Sequence, residues 1–530
     1  MTATFCLINE LIKGEKMKIK IISLILLLIF ILSGCNIVIT PPKKDPPTSD
    51  VTVTDGHTDE DNNGFCDECG TYVIVVLDIY NINDIHGKFA DTDDNEGVDE
   101  LTTYLKTMMS IDDNALILSS GDMWQGSSES NLTHGLIMTE WMNHMGFSAM
   151  TLGNHEYDWG QEYIEANEEL ADFPLLAINI FDKNTNKRVE YCDASVVVEK
   201  NGLKIGIIGA IGDCYSSISG DMTSGFYFKT GSDLTKLIKD ESSRLRSEEG
   251  VDFVILSIHD GYDQNKNGMS SISNSNLSSY YDISLSRGYV DLVFEGHTHK
   301  SYILMDSEGV FHIQAGGENS GIAHAEFSIN FANGKSELNA AKIIKSSTYK
   351  QYIDDPIVLA LLEKYKDDIS KADEVLGTLS RYISSDEICD LVAKLYYLRG
   401  IEEFGNQYPI VLGGGFISTR SPYDLDRGPV TYSDIYSVLP FDNQLVLCSI
   451  SGRDLMSKFV NTSNNRYHIY YEEYGADAIA NINYNQTYYV IVDTYTSTYS
   501  YNNLTEIKRF APDEYARDLL AEYIKAGKLK

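Results

Sequence analysis

The stretch that decides the fold is Val73-Ile74-Val75-Val76-Leu77-Asp78-Ile79-Tyr80-Asn81-Ile82-Asn83-Asp84-Ile85-His86-Gly87. Residues 73–79 are apolar except for Asp78 and largely β-branched, which is the composition of a strand. The run ends on Asn83-Asp84-Ile85-His86-Gly87, where a carboxylate and an imidazole stand beside glycine. The same arrangement recurs along the chain. Residues 115–118 lead to Gly121-Asp122-Met123-Trp124-Gln125-Gly126, and 149–152 to Gly153-Asn154-His155-Glu156-Tyr157-Asp158. Residues 253–256 lead to Ser257-Ile258-His259-Asp260-Gly261, and 292–294 to Gly296-His297-Thr298-His299. Helical patterns fill the gaps, at 135–144 and 161–169. Alternating strands and helices make an α/β domain. Such sheets place ligands where their strands end. Glycines beside the ligands let the backbone turn sharply there.

A chain of 530 residues with 43% hydrophobic residues has room for two or three globular domains. Its net charge of −36 opposes nucleic-acid binding, which needs a basic face. A nucleotide substrate is still compatible, because metal ions and a few arginines make a local cationic pocket.

The N-terminus reads as a targeting segment. Lys18 and Lys20 precede the apolar residues 21–30, and Leu32-Ser33-Gly34-Cys35 follows. This is the pattern of a bacterial lipoprotein signal, with Met17 as the start and the lipid on Cys35. The protein is thus expected outside the cytoplasm, anchored to the cell membrane. The apolar run is short for a membrane span. Cys192, Cys214, Cys389 and Cys448 read as core residues rather than a disulfide framework.

Residues 36–72 read as a tether in which the stiff, extended run Pro41-Pro42-Lys43-Lys44-Asp45-Pro46-Pro47 is followed by an acidic stretch. Within it, Asp59-Glu60-Asp61-Asn62-Asn63-Gly64 matches the first half of a calcium loop, but Gly70 stands where the loop needs Glu. His57, Cys66 and Cys69 form a rival, incomplete zinc set. A solvated spacer is the third reading of the 59–70 segment.

Hydrolysing a phosphate ester requires neutralised oxygens, an activated water and a stabilised leaving group. Two divalent ions roughly 3.5–4 Å apart supply all three. The mixture of imidazole, carboxylate and amide oxygen suits Zn, Mn, Fe or Co and fits calcium poorly. Five of the chain's 11 histidines fall inside the motifs, which makes chance clustering a poor explanation.

The five motifs, in this order, resemble the dinuclear metallophosphoesterase family of calcineurin-like enzymes. The resemblance implies a four-layer α/β/β/α sandwich. It also implies that Asp84, His86 and His299 bind one metal, that Asn154, His259 and His297 bind the other, and that Asp122 bridges them. His155 is implied as the residue that stabilises the transition state or protonates the leaving group, with Asp158 holding its tautomer.

A second resemblance covers Tyr408-Pro409-Ile410-Val411-Leu412-Gly413-Gly414-Gly415, Gly428-Pro429-Val430-Thr431-Tyr432-Ser433-Asp434, Leu439-Pro440-Phe441-Asp442-Asn443 and Ser451-Gly452-Arg453-Asp454-Leu455. This looks like the C-terminal domain of 5′-nucleotidases, which binds the nucleotide and rotates to carry it to the metals. The chain departs from that family in its glycine-rich loop. Leu412 stands for the usual Asn and Ile417 for the phosphate-gripping Arg. Arg420, three residues further on, is the candidate substitute for that guanidinium, and Arg381 stands near the place of another phosphate-binding Arg of the family. Phe441 matches the aromatic that stacks on the base, and Tyr495 the second one. Tyr499-Ser500-Tyr501-Asn502 replaces the family's Gly-Gly-Asp-Gly.

The expected layout is a signal segment at 1–35, a tether at 36–72 and a metallophosphoesterase domain at 73–350. A linker helix at 351–373 then joins it to a separate C-terminal α/β domain at 374–530. The expected activity is a metal-dependent 5′-nucleotidase acting on extracellular nucleotides. A 2′,3′-cyclic nucleotide, a nucleotide sugar, a dinucleotide or a non-nucleotide phosphate are alternative substrates. A non-catalytic surface binding lipoprotein is the alternative of another class. No protein partner is implied.

Overall fold

The computed structural model describes residues 57–91, 97–112, 114–262, 289–306, 309–417, 424–463, 467–498, 502–511 and 514–529. Cys35 and Arg420 lie outside the described residues. Strand Ile74–Ile82 sits near the middle of a six-stranded sheet. It pairs antiparallel with Gly321–Asn330 on one side and parallel with Leu116–Ser119 on the other. Ala149–Thr151 and Leu175–Leu176 extend the parallel side, and Lys335–Lys345 closes the other edge. A second six-stranded sheet has Leu203–Ile211, Phe253–His259, Leu292–Glu295 and Phe311–Ala315 in parallel at its centre. Ser195–Lys200 and Ser301–Met305 form its antiparallel edges.

Side chains alternate across a strand, and that alternation stacks the layers. Val75, Leu77 and Ile79 face the second sheet and share a core with Ile205, Ile207, Phe253 and Ile255. Tyr80 and Ile82 face the other way, into a core shared with Trp141 and Met142 of helix Leu136–Met145 and with Leu101 of helix Asp99–Ile111. Helix Gly231–Glu248 covers the outer face of the second sheet through Leu234, Ile238 and Leu245. The result is the four-layer α/β/β/α sandwich that the motifs implied.

The expected linker helix is broken in two. Helix Pro356–Lys364 starts at Asp355, whose side chain accepts the Ile357 N–H at 2.9 Å. It ends at Tyr365, and a single turn, Lys366–Ile369, follows. Tyr365 hydroxyl donates to Glu140 Oε1 at 2.7 Å, which holds the break against helix Leu136–Met145. The C-terminal region then forms its own five-stranded sheet, Tyr467–Tyr470, Ile410–Phe416, Thr487–Asp493, Leu445–Ser451 and Thr505–Arg509. Helix Ser385–Phe404 packs on it, capped by Ser384 and Glu387. It comes close enough at Gly400 that a Cβ there would stand 2.2 Å from Ile491.

Residues 57–72 depart from the spacer reading. Phe65 and Tyr72 form a β-bridge. Asp59 is buried and accepts from Asn330 Nδ2 at 2.6 Å and from the Gly64 N–H at 3.0 Å. The segment is folded onto the turn between the last two strands of the first sheet. Among the described residues, no helix is long and apolar enough to cross a membrane.

Candidate metal centre and the cavity beside it

The carboxyl ends of the two sheets meet, and the five motifs meet with them. Asp84, His86, Asp122, His297 and His299 all have positive φ, between 54° and 70°. Such angles are uncommon outside glycine and gather at functional sites, where the surroundings enforce them. Here the enforcing contacts are visible. Both Asp84 carboxylate oxygens accept the His297 N–H, at 3.0 and 2.9 Å. Asn83 Nδ2 donates to Asp84 Oδ2 at 2.6 Å and to the Gly316 carbonyl at 2.5 Å. Gly153 has no room for a side chain, since a Cβ would lie 2.3 Å from Asp122 Oδ1.

Two groups of ligand-type atoms result. Asp84, His86 and His299 bring one atom each within 4.8 Å of one another, and so do Asp84, Asp122 and His259. Asn154 joins the second group, with Oδ1 3.2 Å from His259 Nε2. His297 lies within the same distance of His259 and of the buried Cys214.

The donor atoms have a chemistry that asks for cations. His86 Nδ1 lies 2.9 Å from the Gln125 carbonyl, and His259 Nδ1 lies 2.6 Å from the Ser120 carbonyl. A carbonyl accepts only, so each Nδ1 carries the proton and each Nε2 presents a lone pair in the neutral ring. The His86 Nε2 lone pair faces His299 Nε2 at 3.0 Å. That of His259 faces Asp122 Oδ2 at 3.0 Å and Asn154 Oδ1. Acceptor atoms this close repel unless a proton or a metal ion lies between them. Without metal the proton must do it. Burial alone would hold His259 neutral, but the Asp122 and Asp84 carboxylates outweigh it and lift its pKa to about 10. Burial and the neighbouring His259 charge push His297 the other way, to about 4. The residues therefore fit divalent cations.

Glu156 is a residue the sequence reading quoted but gave no role. Its buried carboxylate accepts from the backbone N–H groups of Asp122, Met123 and Gly153 at 2.9, 2.9 and 2.6 Å. It also accepts from the Trp124 N–H at 3.3 Å. It thus ties the second and third motifs into one rigid loop pair. Burial and the Asp122 charge push its pKa up to about 7.

His155 and Asp158 are together, with Nδ1 2.8 Å from Asp158 Oδ2. The His155 backbone N–H donates to Asp122 Oδ1 at 2.8 Å, which fixes the residue at the edge of the metal groups. Its ring stacks on Phe441 of the C-terminal region, with centroids 5.7 Å apart and planes 26° apart. The Phe441 loop is held there from both sides. Gln125 and Asn131 donate to the Pro440 carbonyl, each at 3.0 Å. The buried Arg517 donates to the Phe441 carbonyl at 2.9 Å and pairs with Asp442.

A cavity of about 320 Å³ opens between the two halves of the chain. Asn154, His155 and His297 line it together with Phe416, Phe441 and Tyr495. Phe416 and Tyr495 pack together, with centroids 5.6 Å apart. Phe441 and Tyr495 are therefore brought to one cavity, as read from sequence. Arg381 is not. Its guanidinium is held by both oxygens of Glu387 at 3.0 Å and is absent from the cavity lining among the described residues. The cavity's guanidinium groups are Arg509 and Arg517, which the sequence reading missed. Arg509 pairs with Asp221 across the two halves at 2.6 Å. Neither lies near a motif, so no local signal marked them.

Comparison with known proteins agrees with this arrangement. The family model described as calcineurin-like phosphoesterase matches residues 77–301. The model described as 5′-nucleotidase, C-terminal domain, matches residues 369–503. Protein UshA of Yersinia enterocolitica is 26% identical over 445 residues, covering 75% of this chain and 77% of its own. An apyrase of Tabanus yao is 27% identical over 430 residues, covering 72% of each chain. The solved structure of a 5′-nucleotidase precursor from Thermus thermophilus superposes with a TM-score of 0.65 at 18% identity. It covers 86% of this chain and 97% of its own, and at that identity the likeness is one of fold.

Proposed function

Since the chain belongs to the calcineurin-like phosphoesterases that carry a 5′-nucleotidase C-terminal domain, and is a metal-dependent phosphoester hydrolase, we propose that its substrate is a 5′-nucleotide, cleaved to nucleoside and phosphate. The supporting observation is the two sets of facing ligand-type atoms, His86 Nε2 with His299 Nε2 and His259 Nε2 with Asn154 Oδ1, beside a cavity that Asn154 and aromatic rings line. Asp84, His86 and His299 would hold one ion, Asn154, His259 and His297 the other, and Asp122 would serve both. The donor set suits Zn, Mn, Fe or Co. When bound, such ions neutralise the phosphoryl oxygens, activate a water and stabilise the leaving oxygen.

The chain's own residues complete the reaction. Asp158 accepts from the His155 Nδ1–H, so in the imidazolium Nε2 carries the proton that passes to the leaving oxygen, and the ring is left neutral with its Nδ1–H still on Asp158. Asn154 would help hold the phosphoryl oxygens. Phe441 and Tyr495 offer the base two aromatic faces, and stacking there is worth roughly 1–3 kcal/mol per base. Arg517 acts through Phe441, by fixing its loop. A lipid on Cys35 would keep the enzyme outside the cytoplasm, on the membrane where extracellular nucleotides arrive.

A phosphate-release panel with added Mn or Zn tests the substrate. AMP and related 5′-nucleotides are expected to show kcat/KM at least tenfold above sugar phosphates, 2′,3′-cyclic nucleotides and nucleotide sugars. Cleavage of sugar phosphates with inert 5′-nucleotides would reject the nucleotide reading and leave the hydrolase intact.

A further inference from the structure

We propose that His57, Cys66 and Cys69 form a zinc site that clasps the segment before the first strand onto the hydrolase domain. The three side chains place one ligand atom each within 4.8 Å of one another. Cys69 Sγ lies 3.3 Å from His57 Nδ1. Zn–S of about 2.3 Å and Zn–N of about 2.0 Å in a tetrahedron set a ligand edge of about 3.5 Å, so the two atoms are spaced as ligands of one ion. Two sulfurs and an imidazole nitrogen make a soft donor set that favours zinc over the harder divalent ions.

The backbone is built to present those sulfurs. The Phe65–Tyr72 bridge closes a tight turn around Cys66-Asp67-Glu68-Cys69-Gly70. The Cys66 N–H donates to the Thr71 carbonyl at 2.7 Å, and the Gly70 N–H donates to the Cys66 carbonyl at 2.8 Å. Gly70, at φ +70°, supplies the left-handed residue that ends the turn. Both cysteines then project to the side where His57 stands. Cys66 is buried and Cys69 exposed, so the site is reachable from solvent, which would fill the fourth position.

The clasp has something to hold. The His57 ring packs edge-on against Phe331, with centroids 5.8 Å apart. Asn333 Nδ2 donates to the Asp59 carbonyl and to Asn62 Oδ1, each at 3.0 Å. Lys335 Nζ donates to the same Asn62 oxygen at 2.7 Å. Zinc would cross-link His57 to the Cys66–Cys69 turn and so fasten both ends of this contact. On binding, the Cys66 and Cys69 protons pass to solvent. The neighbouring Asp59, Asp61 and Asp67 carboxylates also gather within 4.8 Å, and their oxygens accept from the segment's own backbone N–H groups. The clasp sits at the opposite end of strand Ile74–Ile82 from Asp84. Nine residues at roughly 3.3 Å each put it about 30 Å from the catalytic groups.

The test compares the whole chain with its Cys66→Ser/Cys69→Ser variant after loading with cobalt(II) and, separately, with zinc. The wild type is expected to show sulfur-to-cobalt charge-transfer absorption and to retain one zinc more per chain than the variant. Phosphate release is expected to agree within twofold between the two. Cys214, near His259, is present in both proteins and cancels in the difference. A wild type without the sulfur–cobalt band, equal zinc content in the two proteins, or a Cys66–Cys69 disulfide in the freshly isolated chain would overturn the proposal. A His57→Asn variant, which keeps both cysteines, is expected to lose the same zinc and supplies the difference if the double variant does not fold.

Discussion

Replacing Asp122 with asparagine is expected to lower phosphate release by more than about 100-fold in kcat/KM, because outer-shell partners of a metal already cost 10–100-fold and Asp122 is proposed as a direct ligand. The reason is charge. Of the seven proposed ligands, Asp84 and Asp122 are the two carboxylates, set against four positive charges from two divalent ions. Asp122→Asn removes half of that compensation and keeps the side-chain shape. Its Oδ1 accepts the His155 N–H, and the asparagine oxygen can still do so, which keeps the loop in place. Loss of bound metal, with a far-ultraviolet spectrum like that of the wild type, is the companion result. Turnover and metal content both unchanged would remove Asp122 from the centre.

His155→Ala is expected to lower kcat by roughly 10²–10⁴, the usual share of a positioned acid or base, with metal content unchanged. The two expectations together separate a ligand from a proton donor. The His155 ring stands 5.2 Å from that of His86 but is not counted among the ligands. The variant's defect is expected to shrink at least tenfold on an aryl phosphate whose leaving group needs no proton. Asp158→Asn is expected to fall in the same direction by a smaller factor, since it acts through the His155 tautomer. An equal loss on both substrates would show that His155 does something other than serve the leaving oxygen.

The candidate metal centre was legible in sequence because each proposed ligand lies within a few residues of a strand end. A strand's composition and its terminal Asp-x-His or Gly-Asn-His are local signals. The structure only had to bring the ends together. Glu156 was visible inside a motif, yet its role depends on backbone N–H groups from another motif, and no local pattern records that. Arg509 and Arg517 illustrate a stronger limit. They reach the cavity because the C-terminal sheet and final helix fold back on it, and their partners Asp221 and Asp442 lie far away in sequence. Arg381, chosen by alignment to a family pattern, is instead engaged by Glu387, six residues on and part of the helix cap. The linker helix was legible in its periodicity, but its break at Tyr365 comes from a tertiary hydrogen bond to Glu140. Residues 57–72 have the composition of a spacer. They fold because Asp59 and Asn62 find partners at Asn330, Asn333 and Lys335, more than 250 residues away.

The central claim is that the five motifs hold two metal ions for phosphoester hydrolysis. The most direct test strips the whole chain of metal and titrates Mn(II) back while following phosphate release from AMP. Mn(II) is the chosen ion because oxygen and nitrogen donors suit it better than the Cys66 and Cys69 sulfurs. The stripped chain is expected to be inactive and to regain activity to a plateau at two Mn(II) per chain. Full release from the stripped chain, or a plateau reached at one ion, would contradict the account.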